Sequence, residues 1–393
     1  MTVYIIHILE ILISGIIIQP NKSKQRKTLY TFLQCLIIVV LYTIRSYSVG
    51  RDTRQFVIAF NVLNGHSAAG VYYSRDLEVG FEWLCKSVGL FSSDYHILFL
   101  VIAVFLFGVL SAFIFRNSKD IEMSYFLFAT MTYMSFMFSS MRQAIAIGFI
   151  VLFSEIGLKR NRYILFGIGV FFASLFHSSA LIAIVIIVFT RIEFNKKYLM
   201  LIAASCILLP LVADLLYRIA TRFLPYAVYI GTQYYNSSLL GAIFSFFTWA
   251  FMFSFASWIW LYKKEGINNK NEYKRIEQKE TKHFWNELMK GKLLIHPGSH
   301  TNEYSPDFLL WCGTASVAIA ALSLRISVVS RAIYYFGIYS IIMLPNSVAI
   351  IARGRQRQQI RLFIIAIGFI IWYIIAAFRP EWYNAVPYVT DLF

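Results

Sequence analysis

Two polar islands in otherwise apolar stretches hold the side chains best suited to chemistry. One is Ser139-Ser140-Met141-Arg142-Gln143. The other is Phe176-His177-Ser178-Ser179. Further candidates are Arg51-Asp52, Glu78, and Arg331 ahead of Tyr334-Tyr335. An arginine offers a planar fork of donors that grips phosphate bidentately and stays charged at any working pH. An unperturbed imidazole titrates near ~6.5, which suits proton transfer at neutral pH. Carboxylates such as Asp52 and Glu78 hold hydroxyl groups or orient arginine forks. These types point to an anionic, phosphate-bearing ligand together with a proton transfer. Each also has a plainer role. A lone histidine at a turn can bond only to backbone, and an arginine can snorkel to headgroups or pair with a carboxylate. Asp52, flanked by Arg51 and Arg54, is placed for such pairing.

Several chemistries find no support. There is no P-loop, GxGxxG, HExxH or GxSxG motif and no His/Cys cluster. Cys35, Cys85, Cys206 and Cys312 form no CxxC pair, so neither a disulfide framework nor a bound metal is expected. No cofactor is expected either.

The elements that must position these residues follow from composition. Of 393 residues, 59% are apolar and 14% charged, against roughly 25% charged in soluble domains. The apolar residues fall in long runs separated by basic segments, and a run of ~20 spans the ~30 Å hydrocarbon core as a helix. The expected fold is an all-α integral membrane protein, a single polytopic bundle of about twelve transmembrane helices over residues 1–393. The candidate spans are 3–19, 29–49, 95–115, 122–140, 143–158, 163–176, 178–190, 198–215, 239–262, 308–327, 332–352 and 362–378. The chain begins Met-Thr-Val-Tyr-Ile-Ile with no basic n-region, so its first span is expected to be retained.

The net charge of +16 is spread over span ends instead of lining one soluble face, which argues against nucleic acid. Placing the basic 20–28 stretch in the cytoplasm and alternating sides puts 116–121, 159–162, 191–197, 263–307 and 353–361 inside as well. Both termini are then outside. Basic clusters flank 163–190 at both ends, so the chain is expected to turn back near His177. The outer loop 50–94 has apolar residues at helical spacing and is expected to form amphipathic surface helices. The polar loop 263–307 is expected to be cytoplasmic and partly disordered. Eleven basic residues fall outside, ten Arg and one Lys. Topology asks only for positive charge, so the arginine excess points to an outer-facing anion site.

Taken together, Gly50-Arg51-Asp52-Thr53, Glu78-x-Gly80-Phe81, Ser140-Met141-Arg142-Gln143-Ala144-Ile145-Ala146 and Phe176-His177-Ser178-Ser179-Ala180-Leu181 resemble the EpsG family of Wzy-like polymerases of O-antigen, capsule and exopolysaccharide. The late Arg331…Tyr334-Tyr335-Phe336 fits the same layout, and the resemblance spans roughly residues 1–380. It implies polymerisation of undecaprenyl-pyrophosphate-linked repeat units at the outer face of the bacterial plasma membrane, with undecaprenyl pyrophosphate leaving. Under that reading His177, Arg142 and Asp52 are the catalytic candidates. Arg51, Glu78, Arg331, Gln143 and Tyr335 are the substrate-binding ones. The implied partners are the lipid-linked oligosaccharide, membrane lipid, a flippase and a chain-length regulator. The rival readings are a polyprenyl-phosphate-sugar-dependent glycosyltransferase, a lipid-linked oligosaccharide flippase or other transporter, and a membrane O-acyltransferase.

Overall fold

Polar connections start the helices and apolar runs extend them. Ser23, Asp94, Asp120, Asn195 and Ser305 each accept a backbone N–H of the helix they precede, which satisfies one of the open donors of a first turn. The computed structural model describes residues 1–66, 77–222, 232, 239–267, 303–351 and 354–391. Among these no strand forms; an isolated bridge joins Arg45 to Thr390. Most of loop 263–307, including its expected disorder, and residues 67–76 of the outer loop lie outside the described residues.

Among the described residues, seven helices are long and apolar enough to cross a membrane. They are Thr2–Lys22, Tyr95–Asn117, Met141–Arg160, Lys196–Ile219, Leu239–Leu261, Pro306–Ser323 and Arg355–Phe378. A pair bent by 51°, Ser327–Gly337 with Ser340–Ile350, raises the number to eight if counted as one span. The expected count of about twelve is therefore not confirmed. The difference lies in breaks that hydropathy alone passes over. The 122–140 run divides at Thr132, whose φ of 66° ends one helix and starts a shorter one. The 29–49 run is helical only to Thr43, in a helix that opens on Lys24, Arg26 and Lys27. The 163–190 run is two short apolar helices, Tyr163–Ser174 and Ser178–Phe189.

The first, α-helical, is about 18 Å long and the second, 3-10 over Ser178–Val185, about 22 Å, both well under the ~30 Å of a hydrocarbon core. They run antiparallel. Ile184 lies 4.0 Å from where a Cβ on Gly167 would stand, and the Arg191 guanidinium sits 4.9 Å from the Tyr163 ring centroid. The chain thus turns back, with His177 at the turn.

The chain divides into two compact units. The first contains residues 1–152, 170–181 and 352–393. Its long elements are α1 (Thr2–Ile18), α2 (Lys24–Thr43), α5 (Tyr95–Asn117), α6 (Ile121–Thr130), α7 (Tyr133–Ser139), the start of α8 (Met141–Ile156) and α16 (Arg355–Phe378). Two amphipathic helices of eleven residues, α3 (Thr53–Leu63) and α4 (Val79–Gly89), bury Phe56, Phe60, Phe81 and Cys85 while leaving Trp83 exposed.

One end of this unit is tied by partly buried polar contacts. Asn21 donates to Asp120 at 3.1 Å, and Arg361 pairs with Asp120 at 3.1 Å and Glu122 at 3.3 Å. Segments 20–28, 116–121 and 354–361 therefore share an end, as the alternation of charge expects. At the opposite end the C-terminal tail runs along residues 45–51. Ser46, Gly50 and Arg51 donate backbone N–H groups to Val389, Asn384 and Tyr383. Tyr4 of α1 meets Tyr388 edge-on at 5.8 Å, so the N-terminal turn and the tail lie at that same end.

The second unit contains residues 153–169 and 182–351. It is built from the start of α9 (Tyr163–Ser174), α10 (Ile186–Phe189), α11 (Lys196–Ala220), α12 (Leu239–Ile267), α13 (Pro306–Ser323), α14 (Ile333–Gly337) and α15 (Ser340–Ile350). α13 is its centre, with α11 and α12 each lying against it. Trp311 donates to the Ile192 carbonyl at 2.9 Å amid the rings of Phe194 and Tyr198. Gly337 admits the Trp249 ring, which would stand 2.2 Å from an added Cβ.

Candidate active site

The site is assembled around a close approach of backbones. Gly80, in the first turn of α4, donates its N–H to the Leu175 carbonyl at 2.8 Å. A Cβ on Gly80 would stand 2.8 Å from that same oxygen, so a side chain here would push α4 away from the turn. Glu78, the residue before α4, is thereby held beside His177.

The second approach places Arg142. The chain breaks between α7 and α8, and the Phe138 carbonyl at the break accepts from Arg45 Nη1 at 2.5 Å and from Thr53 Oγ1 at 3.2 Å. Gly50, with φ +102°, lies so near this carbonyl that a Cβ would be 2.3 Å from it. The Arg51 N–H donates to Ser139 Oγ at 3.1 Å. The Gly50–Thr53 turn is thus fastened to the residues that lead into Arg142.

The Glu78 carboxylate joins the two approaches. One oxygen lies 3.0 Å from His177 Nδ1, and the other accepts from Arg142 Nη1. The Arg142 guanidinium also lies over the Phe56 ring, 5.0 Å from its centroid, and Phe56 meets Phe81 at 5.2 Å. The side chains of His177, Glu78 and Arg142 are 15%, 21% and 21% exposed, which is partly dry yet open. With Nδ1–H given to the carboxylate, His177 Nε2 carries the lone pair and can accept a proton. The Arg142 fork is a cation fixed beside it.

Burial alone would push the Glu78 carboxyl up. The His177 hydrogen bond and the Arg142 charge outweigh burial and hold it below the usual carboxylate range. A carboxylate with a depressed folded value stabilises the fold above its unfolded value and loses that contribution as pH falls through the folded one. Wild type should therefore exceed Glu78→Gln in stability by about 1.5–3 kcal/mol at neutral pH, the range for hydrogen bonds to charged groups. The gap should close only below the ordinary carboxylate range. Thermal unfolding of both proteins across a pH series measures it; a gap that closes near neutrality contradicts this account of Glu78.

The residues proposed from sequence are thus distributed unevenly. His177, Arg142 and Glu78 are in mutual contact. Arg51 and Asp52 adjoin them through the Ser139 contact, with the Arg51 side chain exposed and Asp52 half-buried at the start of α3. Gln143 follows Arg142 but is 2% exposed. Arg331, half-buried in the short 3-10 helix Ser327–Ala332, and the fully buried Tyr335 belong to the second unit. The buried Gln143 and Tyr335 open to neither solvent nor lipid in this conformation.

Sequence reasoning gave no role to Phe56 or Ser139. The only trace of the first was its apolar spacing on α3. Arg45, at the end of the 29–49 run, is one of the eleven basic residues expected outside. Arg45 is fully buried among Tyr42, Phe99 and Phe138, with its guanidinium 3.9, 4.8 and 4.9 Å from their centroids. It binds the end of α7, not a ligand.

A model of the EpsG family matches residues 28–390, nearly the whole chain. No curated protein and no solved structure matches it.

Proposed function

The chain belongs to the EpsG family, which is associated with Wzy-like polymerases, and from that premise we propose that it polymerises lipid-linked oligosaccharide repeats. The substrate is an undecaprenyl-pyrophosphate-linked repeat unit, and the reaction takes place at the outer face of the bacterial plasma membrane. The observation that carries the reading is the Glu78 carboxylate shared between His177 and Arg142.

Glu78 orients the neutral imidazole, proton on Nδ1, so that Nε2 faces the acceptor sugar. His177 Nε2 takes the acceptor hydroxyl proton as that oxygen bonds to the anomeric carbon of the donor glycan. The bond from that carbon to the pyrophosphate oxygen breaks, and undecaprenyl pyrophosphate leaves with the electron pair. Arg142 and Arg51 stabilise the charge growing on the leaving group, as preorganised donors do in a partly dry site. Asp52 holds a sugar hydroxyl or steadies the arginine fork.

The test is a deletion strain complemented by the wild-type chain. Loss of polymerisation leaves single lipid-linked repeats at the outer face, and complementation restores a ladder of chain lengths. Accumulation at the inner face instead identifies a flippase and overturns the proposal. Abolition of the ladder in washed membranes by a chelator favours a metal-dependent transferase using a polyprenyl monophosphate sugar.

A further inference from the structure

Arg45 lies just past the end of α2, where its backbone is bridged to Thr390 of the tail. Its side chain turns back into the bundle and is fully buried, and among the described residues no carboxylate pairs with it. A buried ion without a counter-charge is costly, and an apolar side chain of similar volume is often as stable or more so. Packing alone therefore gives no reason for a guanidinium here. The shape it imposes on the chain does.

In an unbroken helix the Phe138 carbonyl would accept the N–H four residues on, that of Arg142. Both lone pairs of that oxygen are instead engaged from the side, by Arg45 Nη1 and by the hydroxyl of the fully buried Thr53. The chain leaves α7 after Ser139, passes through Ser140 at φ −107° and ψ 67°, and starts α8 at Met141.

The consequence is where Arg142 points. Residues four apart share a helix face. An unbroken helix would set Arg142 on the face of Phe138, whose ring packs against Tyr42 at 5.2 Å and Phe107 at 6.5 Å. Across the break it reaches the Glu78 carboxylate and the Phe56 ring. We propose that Arg45, together with Thr53, is a positioning residue for the polymerisation. The pair intercepts the Phe138 carbonyl, keeps α7 and α8 from joining, and so aims Arg142 at Glu78 and the leaving pyrophosphate. The effect on rate rests on the polymerase reading; the effect on the Arg142–Glu78 contact does not.

The test measures repeat addition in membranes and thermal unfolding of the purified full-length chain. Arg45→Met should lower kcat by roughly 10²-fold, the cost of a catalytic group misplaced from a distance, with KM little changed. Its unfolding temperature should equal or exceed that of wild type. Thr53→Val should also lower kcat, whereas Thr53→Ser, which keeps the hydroxyl, should not. In the Arg45→Met background Met141→Pro should recover turnover. A proline there has no N–H with which to continue α7, suits the first position of α8 and disfavours a helical Ser140. Arg142→Ala should cost Arg45→Met little more, the guanidinium being already displaced. A further readout needs no activity. The difference in unfolding temperature between wild type and Glu78→Gln should fall by about half in Arg45→Met, since only the His177 bond to Glu78 remains. An undiminished Glu78 difference, or wild-type kcat in Arg45→Met, would overturn the proposal. So would turnover lost only in step with folded protein in both Arg45→Met and Thr53→Val. Should the deletion strain behave as a flippase mutant, the polymerase reading fails and the Glu78 difference alone decides the positioning.

Discussion

His177→Ala is expected to lower the rate of repeat addition by about 10²–10⁴-fold, the usual contribution of a positioned general base. Cells carrying it should accumulate single lipid-linked repeats while the protein reaches the membrane at wild-type levels. The second half of that expectation follows from the local structure. The turn at 175–180 is held by backbone bonds, from the His177 N–H to Ala173 at 3.0 Å and from the Ala180 N–H to the His177 carbonyl at 2.9 Å. Removing the ring leaves these intact, and Gly80 still grips Leu175. The hairpin should therefore fold without its imidazole. A rate measured in membranes with lipid-linked repeats as substrate decides the matter. Wild-type turnover in His177→Ala would remove the proposed base, and loss of protein would reassign the residue to folding.

Arg142→Ala is expected to cost about 2.7–4 kcal/mol of transition-state stabilisation, or 10²–10³-fold in rate, by analogy with removal of a single oxyanion donor. Arg142→Lys should recover little of this. A lysine keeps the charge but loses the planar fork, and the fork is what lets one side chain hold Glu78 and still face a phosphate. Because Glu78 bonds both Arg142 and His177, the three act as a unit. The double variant Arg142→Ala, His177→Ala should therefore be barely slower than the worse single variant. Full-length ladders from both Arg142 variants would exclude Arg142 from the site. Strict additivity in the double variant would separate it from His177.

Much of the architecture was legible before any coordinates. Hydropathy and charge identified a helical membrane protein, and the alternation of basic segments expected 20–28, 116–121 and 353–361, with 159–162, 191–197 and 263–307, on one side; residues 354–361 do meet the first two. Their link through Asn21, Asp120 and Arg361 is tertiary, but the segments were paired by charge alone. The span count was less secure, because a long apolar run looks the same whether it crosses or breaks. Thr132, with its left-handed backbone, and the turn at His177 leave little mark on an averaged hydropathy.

The residue types of the site were also visible: a histidine and an arginine stranded among apolar neighbours are costly and so conspicuous. What composition and periodicity determined was which side chains had chemistry to offer and which runs would carry them as helices, since both depend on neighbours within a few residues. Only the tertiary structure decided that Glu78, 64 residues from Arg142 and 99 from His177, would bridge them. It likewise decided that Arg45, no less conspicuous, would be sealed against the end of a helix. Such contacts rest on backbones approaching at Gly50 and Gly80, where the absence of a Cβ permits what no local pattern records.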